Sequence, residues 1–191
     1  MGFRVGMVAT GGTISMRREE EGKAPRPALG GAHLVAMLDE GAHVADVEVT
    51  TYEPHQIASE DLSFSLLSNL AAEIEQAVAE NDAVIVTHGT DTMEDAAYFV
   101  AEALGNPDVI FTGSMLPADH PEYDGISNLT FAFIAARSGQ SMGTVICMYR
   151  DCLPAWSARK MDSAAIDAFG IREGQPVGRL FDGEIERVSG R

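Results

Sequence analysis

Short apolar runs punctuate the chain, and each gives way to a cluster of small polar residues. "RVGMVAT" (4–10) reads as a strand that runs into the tight turn "GGT". "ADVEVTTY" (45–52), "AVIVT" (83–87), "VIFTG" (109–113) and "GTVICMY" (143–149) read as further strands. The runs at 83–87 and 109–113 are apolar without alternation, the pattern of strands covered on both faces. Between the runs the apolar period lengthens. "AHLVAML" (32–38) predicts a short helix, and Leu67, Leu70, Ala71, Ile74, Ala77 and Val78 form one stripe of a long one. Two more helices are predicted over 93–104 and over "ISNLTFAFIAARS" (126–138). Thr92 followed by Asp95 reads as a capping box at the start of the first of these. Residues 15–31 hold charges, prolines and glycines with no period, and read as a mobile loop. The tail ends in "GRLFDGEIERVSGR", where "DG" predicts a hairpin. Strands alternating with helices imply an α/β three-layer sandwich, a mainly parallel sheet with helices on both faces.

Composition narrows the partners. At 191 residues the chain fits one domain with a real core. Its net charge of −16 repels phosphate backbones, so neither nucleic acid nor an anionic membrane surface is expected as a partner. Cys147 lies in an apolar run and reads as core, while Cys152 reads as loop. Their spacing fits no zinc or redox pattern, so free thiols are expected. After Met1-Gly2 the chain enters a strand directly, which reads as lacking a signal peptide. No apolar run approaches the roughly 20 residues that span a bilayer. A cytoplasmic location is the expectation.

In sheets of this kind ligands bind beyond the carboxyl ends of the strands. Three polar clusters fall there: Thr10-Gly11-Gly12-Thr13, Ser59-Glu60-Asp61, and Thr87-His88-Gly89-Thr90-Asp91-Thr92. The glycines bring backbone N–H groups close to a bound molecule, and the threonines present hydroxyls. A hydroxyl becomes a good nucleophile only when something removes its proton. Lys160, one of two lysines in the chain with Lys23, is a candidate base, although the plain reading of a late lysine is a surface residue. Other readings stay open at this level. "TGGT" is neither GxGxxG nor a P-loop, yet helix N-termini with glycine turns also bind phosphate. His88 reads as a general base or, more simply, as a structural group. His120 with Asp119, Glu122 and Asp124 reads as a metal cluster or, more simply, as a solvated loop. Ser59 and Asp61 also fit ordinary helix-start chemistry.

Together the motifs resemble the bacterial-type L-asparaginase/glutaminase family. "ATGGTIS" (9–15) and "VTHGTDTMEDAAYF" (86–99) are similar to its two signatures, and "IASEDL" (57–62) to its substrate-carboxylate segment. "GSMLPADHPEYDGISNL" (113–129) and "LPAWSARKMDSAAIDAF" (153–169) match further segments, the second carrying the active-site lysine. The resemblance covers nearly all of 1–191 as the family's N-terminal catalytic domain, with the smaller C-terminal domain absent. It implies hydrolysis of the side-chain amide of L-asparagine, or of L-glutamine, to the acid and ammonia, without metal or cofactor. Thr13 would be the nucleophile, and Thr90, Asp91 and Lys160 a proton-handling triad. Ser59, Glu60 and Asp91 would hold the substrate's α-carboxylate and α-ammonium. Gly12 and Gly89 would line the pocket, and backbone N–H groups near Ser114 and Thr90 would face the oxyanion. The resemblance also implies one left-handed crossover, a lid over 15–31 (here without an aromatic residue) and a homo-oligomer, expected as a dimer. An asparagine- or aspartate-binding domain with little turnover, and one half of a split asparaginase or amidotransferase, are the alternatives.

Overall fold

The computed structural model describes residues 2–18, 24–38 and 44–188. Its centre is an eight-stranded sheet. The parallel part contains β1 (Phe3–Ala9), β4 (Val47–Tyr52), β5 (Ala83–Thr87), β6 (Val109–Thr112) and β7 (Thr144–Met148). An antiparallel edge adds β8 (Asp151–Pro154), β11 (Gly178–Phe181) and β12 (Glu184–Arg187). The spatial order is β12-β11-β8-β7-β6-β5-β1-β4. Two short ribbons stand apart: β2 (Met16–Arg17) with β3 (Arg26–Pro27), and β9 (Ala158–Lys160) with β10 (Phe169–Ile171). Four helices among the described residues cover the sheet: α1 (Gly31–Ala36), α2 (Phe64–Glu80), α3 (Met93–Leu104) and α4 (Gly125–Arg137).

The unbroken apolar runs have a simple cause: alternate residues of one strand feed two different cores. Val84, Val86, Val109, Phe111 and Ile146 pack with α2 and α3 on one face. Ile85, Ile110, Val145 and Cys147 pack with α1 and α4 on the other. Each fully buried valine or isoleucine stabilises by about 2 kcal/mol, so both faces must be apolar. On β1, Val5 and Met7 face α1 and α4, while Gly6 faces α2, where an added Cβ would meet Asn81 and Ala77.

The layers fix the hand of each connection. From β5 to β6 to β7 the chain steps across the sheet in one direction, yet α3 and α4 lie on opposite faces. The connections through α1, α2 and α3 share one hand, and β6–α4–β7 has the other. Right-handed crossovers are the strong rule, so the α4 connection is the left-handed one.

The sequence reading differs from the structure in five places. Cys152 is not in a loop: it sits on β8 directly opposite Cys147, both fully buried and free, with sulfurs 3.0 Å apart. β8 and the β9–β10 ribbon are too short to show a period. Val78 leaves the helical stripe and is 37% exposed. The flanks of the 15–31 segment pair as β2 and β3, and Ala28 and Leu29 both donate to the Ser15 carbonyl; residues 19–23 lie outside the described residues. The capping box does not form, because the Thr92 hydroxyl donates instead to the Ser59 carbonyl at 3.0 Å. The hairpin at Asp182-Gly183 is present, with both residues at positive φ (48° and 81°) as a primed turn requires. No helix among the described residues is long and apolar enough to cross a membrane.

Burial holds the Cys147 thiol protonated and out of reach. Both thiols are therefore expected to resist a thiol-specific disulfide reagent in the native protein and to react fully once it is unfolded. Fast native-state reaction would contradict the packing of β7 against β8.

Candidate active site

Four turns meet beyond the carboxyl ends of β1, β5 and β6. β1 leads into Thr10, whose hydroxyl donates to the Thr87 carbonyl at 2.9 Å. Gly12 follows with φ 72°, a left-handed conformation that a side chain resists. An added Cβ on Gly12 would lie 2.3 Å from Gly89 Cα, and one on Gly89 would lie 2.5 Å from Ser59 Oγ. The Gly12, Gly89 and Ser59 turns are thus in direct contact. Beyond β4, residue 57 bridges to Gly11: Gly12 N–H donates to the Ile57 carbonyl at 2.8 Å, and Ile57 N–H to the Thr10 carbonyl at 3.1 Å. The fourth turn packs on the same core, since a Cβ on Gly113 would come within 2.5 Å of the His88 carbonyl oxygen.

Thr13 and Thr90 each follow one of the touching glycines. Thr13 opens a 3-10 turn (Thr13–Ser15) and is half-buried. Thr90 is buried, between the end of β5 and the start of α3. Lys160, at the end of β9, reaches across to Thr90: its Nζ donates to Thr90 Oγ1 at 2.9 Å and to Asp91 Oδ1 at 2.6 Å. The Lys160 side chain is only 15% exposed, against 63% for Asp91, so the ammonium is sheltered while its counter-charge faces the open side. An ammonium only donates, so Thr90 Oγ1 is the acceptor and its own proton is free to point elsewhere.

The remaining expected residues divide. Ser59 is buried on a 3-10 turn (Ser59–Asp61), and Glu60 beside it is exposed. Neither caps α2; Ser63 does, accepting from Leu66 N–H at 3.3 Å. The Ser114 hydroxyl is spent on its own loop, donating to the Leu116 carbonyl at 2.7 Å. His88 is fully buried, and its Nδ1 is 2.8 Å from the Gly89 carbonyl oxygen, so Nδ1 carries the proton. Loss of solvent pushes its pKa down to about 4, which makes it a neutral structural group rather than a base. Among the described residues no three His, Cys, Asp or Glu side chains gather as a metal set. Asp124 instead clamps its loop, accepting from Met115 N–H, Leu116 N–H and Asn128 Nδ2, with every distance within 3.1 Å.

Two residues that the sequence reading gave no role support the site. Tyr123 donates its hydroxyl to the Ile14 carbonyl at 2.6 Å, next to Thr13. Burial beside Asp124 raises its pKa far above the ordinary value, so it stays a donor. Glu94, in the first turn of α3, accepts from the backbone N–H of Lys160. Neither shows a periodic or spacing signal. Asn128 lies four residues after Asp124, a helical spacing that a closer reading would have paired. A separate cavity of about 180 Å³ sits at the opposite end of the sheet near Asp82 and Asp108. Asp108 there is spent on Ser141, Met142 and Gly143, and Asp82 on Arg4.

A mainly parallel α/β sheet with two hydroxyls, a lysine and a carboxylate at its strand ends defines the class. The profile of the family described as "Asparaginase, N-terminal" matches residues 4–189, and the chain belongs to that family. It is 36% identical over 185 residues to a probable L-asparaginase of Deinococcus radiodurans, covering 93% of this chain and 53% of that protein. It is 30% identical over 198 residues to a glutamyl-tRNA(Gln) amidotransferase component of Aeropyrum pernix, covering 97% of this chain and 46% of that one. The crystal structure of a probable cytoplasmic L-asparaginase from Campylobacter jejuni superposes with a TM-score of 0.83 at 26% identity, covering 98% of this chain and 57% of that one. The chain thus spans about half the length of the curated relatives it matches.

Two outcomes follow from this geometry. Gly12→Ala places a methyl group against Gly89 backbone at a positive φ, and is expected to cost about 3 kcal/mol or more in denaturant unfolding. A cost below about 1 kcal/mol would mean that the two turns are not in contact. For His88, the unfolded chain binds a proton between pH 6.5 and about 4 while the folded one does not. Stability is therefore complete above pH 6.5 and falls toward pH 4, by roughly 3 kcal/mol from this residue. Folded His88→Asn should show a correspondingly shallower fall in its urea midpoint; an unchanged slope would contradict the buried neutral imidazole.

Proposed function

We propose that this domain hydrolyses a carboxamide, with the side-chain amide of L-asparagine as its first substrate and that of L-glutamine as the second. The observation that carries the reading is the bonding of Lys160 Nζ to both Thr90 Oγ1 and Asp91 Oδ1, one residue from the Gly12–Gly89 contact. That contact puts Thr13 and Thr90 on adjoining turns. In the proposed sequence Thr13 Oγ1 attacks the amide carbon, the Lys160 ammonium releases a proton by way of Thr90 to the departing nitrogen, and the Thr13 proton restores that ammonium. The C–N bond breaks, ammonia leaves, and an ester remains on Thr13. Water, deprotonated along the same route, then cleaves the ester to the free acid and restores the Thr13 hydroxyl.

The other residues have supporting parts in this reading. Asp91 holds the Lys160 ammonium and shares the substrate's α-ammonium with Glu60. Ser59, buried beside Gly89, faces the α-carboxylate. Backbone N–H groups of the 89–90 and 113–114 turns face the developing oxyanion, where a fixed donor contributes most. Glu60 is exposed on the rim, which suits a contact with the solvated end of an amino acid.

A second reading rests on the similarity to an amidotransferase component: the same hydrolysis, with the ammonia passed to a partner protein. The two differ in whether free L-asparagine or L-glutamine is turned over without that partner.

Ammonia release from L-asparagine and from L-glutamine separates the cases. Turnover by the wild-type chain is expected, with Thr90→Val and Lys160→Met each reducing kcat by about 10²–10⁴-fold. Variants as active as wild type would overturn the triad. Silence toward both amino acids, together with weak binding of L-aspartate, would favour the partner-dependent enzyme or a binding domain.

A further inference from the structure

Lys160 is carried on the β9–β10 ribbon, which among the described residues pairs only within itself: Phe169 faces Lys160, Gly170 faces Arg159 and Ile171 faces Ala158. A two-stranded ribbon is marginal on its own and must be held by what it packs against. Ala158 anchors one end, fully buried as part of the core that α2 and α3 pack on. That burial fixes the strand but leaves the direction of Lys160, two residues on, to other contacts.

Glu94 supplies that contact. One of its carboxylate oxygens accepts from the Lys160 backbone N–H, and the other lies 3.8 Å from Arg159 Nε. Its side chain is 21% exposed, so the bonds are made largely away from bulk water. Glu94 sits in the first turn of α3, where the helix dipole favours a carboxylate. The same turn begins just after Thr90 and Asp91. Lys160 is therefore held at both ends by one five-residue stretch: its backbone by Glu94, its ammonium by Thr90 and Asp91.

We propose that Glu94 is the positioning residue for Lys160, tying the β9–β10 ribbon to the start of α3 so that the ammonium arrives between Thr90 and Asp91. Glu94 touches no reacting atom in this role. It acts through the backbone of the residue it bonds. As a step in catalysis the proposal rests on the amide-hydrolysis reading; as a statement about Lys160 it does not.

The chain's two lysines make the test direct. In a Lys23→Arg background, ¹⁵N-labelled lysine gives one side-chain ammonium signal, that of Lys160. Bonded to two partners, its protons exchange slowly with water and its shift departs from that of free lysine. Glu94→Ala is expected to move the signal toward free lysine, speed its exchange, and lower kcat on L-asparagine by about 100-fold with a much smaller change in KM. Glu94→Gln keeps an acceptor oxygen at the same reach and should recover the wild-type signal and most of kcat. Glu94→Asp keeps the charge but falls a carbon short, and should behave as Glu94→Ala does. If the alanine variant fails to fold, the Gln and Asp pair carries the same contrast. An unmoved Lys160 signal in Glu94→Asp overturns the proposal, and so does a Glu94→Gln signal displaced as far as that of Glu94→Asp. If the wild type releases no ammonia but the signals still divide in this way, the positioning role stands and the reading of hydrolysis without a partner falls.

Discussion

The closeness of Gly12 to Gly89 is the constraint on which the rest of the site depends. Any side chain at Gly12 would fall 2.3 Å from its neighbour's Cα, so the two turns meet backbone to backbone. This contact brings the β1 and β5 turns together, and with them the residues that follow, Thr13 and Thr90. Register sets it up: β1 and β5 pair in parallel with Ala9 opposite Thr87, so both strands end at the same level. The isolated bridge from Gly11 to Ile57 then draws in the Ser59 turn, and the Thr92 hydroxyl ties that turn to the start of α3.

Three threonines at the mouth of β5 divide the labour. Thr87 is fully buried, its carbonyl accepting from both the backbone N–H and the hydroxyl of Thr10 and so locking the β1 exit. Thr90 accepts from Lys160. Thr92 gives up the helix cap to hold Ser59. His88, at the centre of the group, is kept neutral by burial and donates to the Gly89 carbonyl. The crowding is a set of separate structural and chemical jobs that happen to share one turn.

Much of this was legible in the sequence, for physical reasons. Strands fed by two cores are apolar throughout, so β5 and β6 stand out, as do the long helices with their 3.6-residue stripe. The glycine–threonine pairs stand out because close backbone contact excludes other residues. What stayed hidden depends on contacts distant in sequence. Cys152 looked like loop because β8 has only four residues. The capping box at Thr92 was a sound local reading that lost to a carbonyl 33 residues away. Glu94, Tyr123 and the occupied hydroxyl of Ser114 take their meaning from partners that no periodic pattern marks. That one crossover is left-handed was legible only through family resemblance, and that it runs through α4 only from the layers, since a helix pattern does not record which face it will cover.

The central claim is that Thr13 and Thr90 have different parts, attack and proton handling, on one substrate. Acid-quenching the chain during incubation with L-asparagine, followed by peptide mapping by mass spectrometry, tests it most directly. The account predicts an aspartyl ester on the peptide holding Thr13. An ester on Thr90, or ammonia release with water as the only nucleophile in the face of Thr13→Ala, would contradict it.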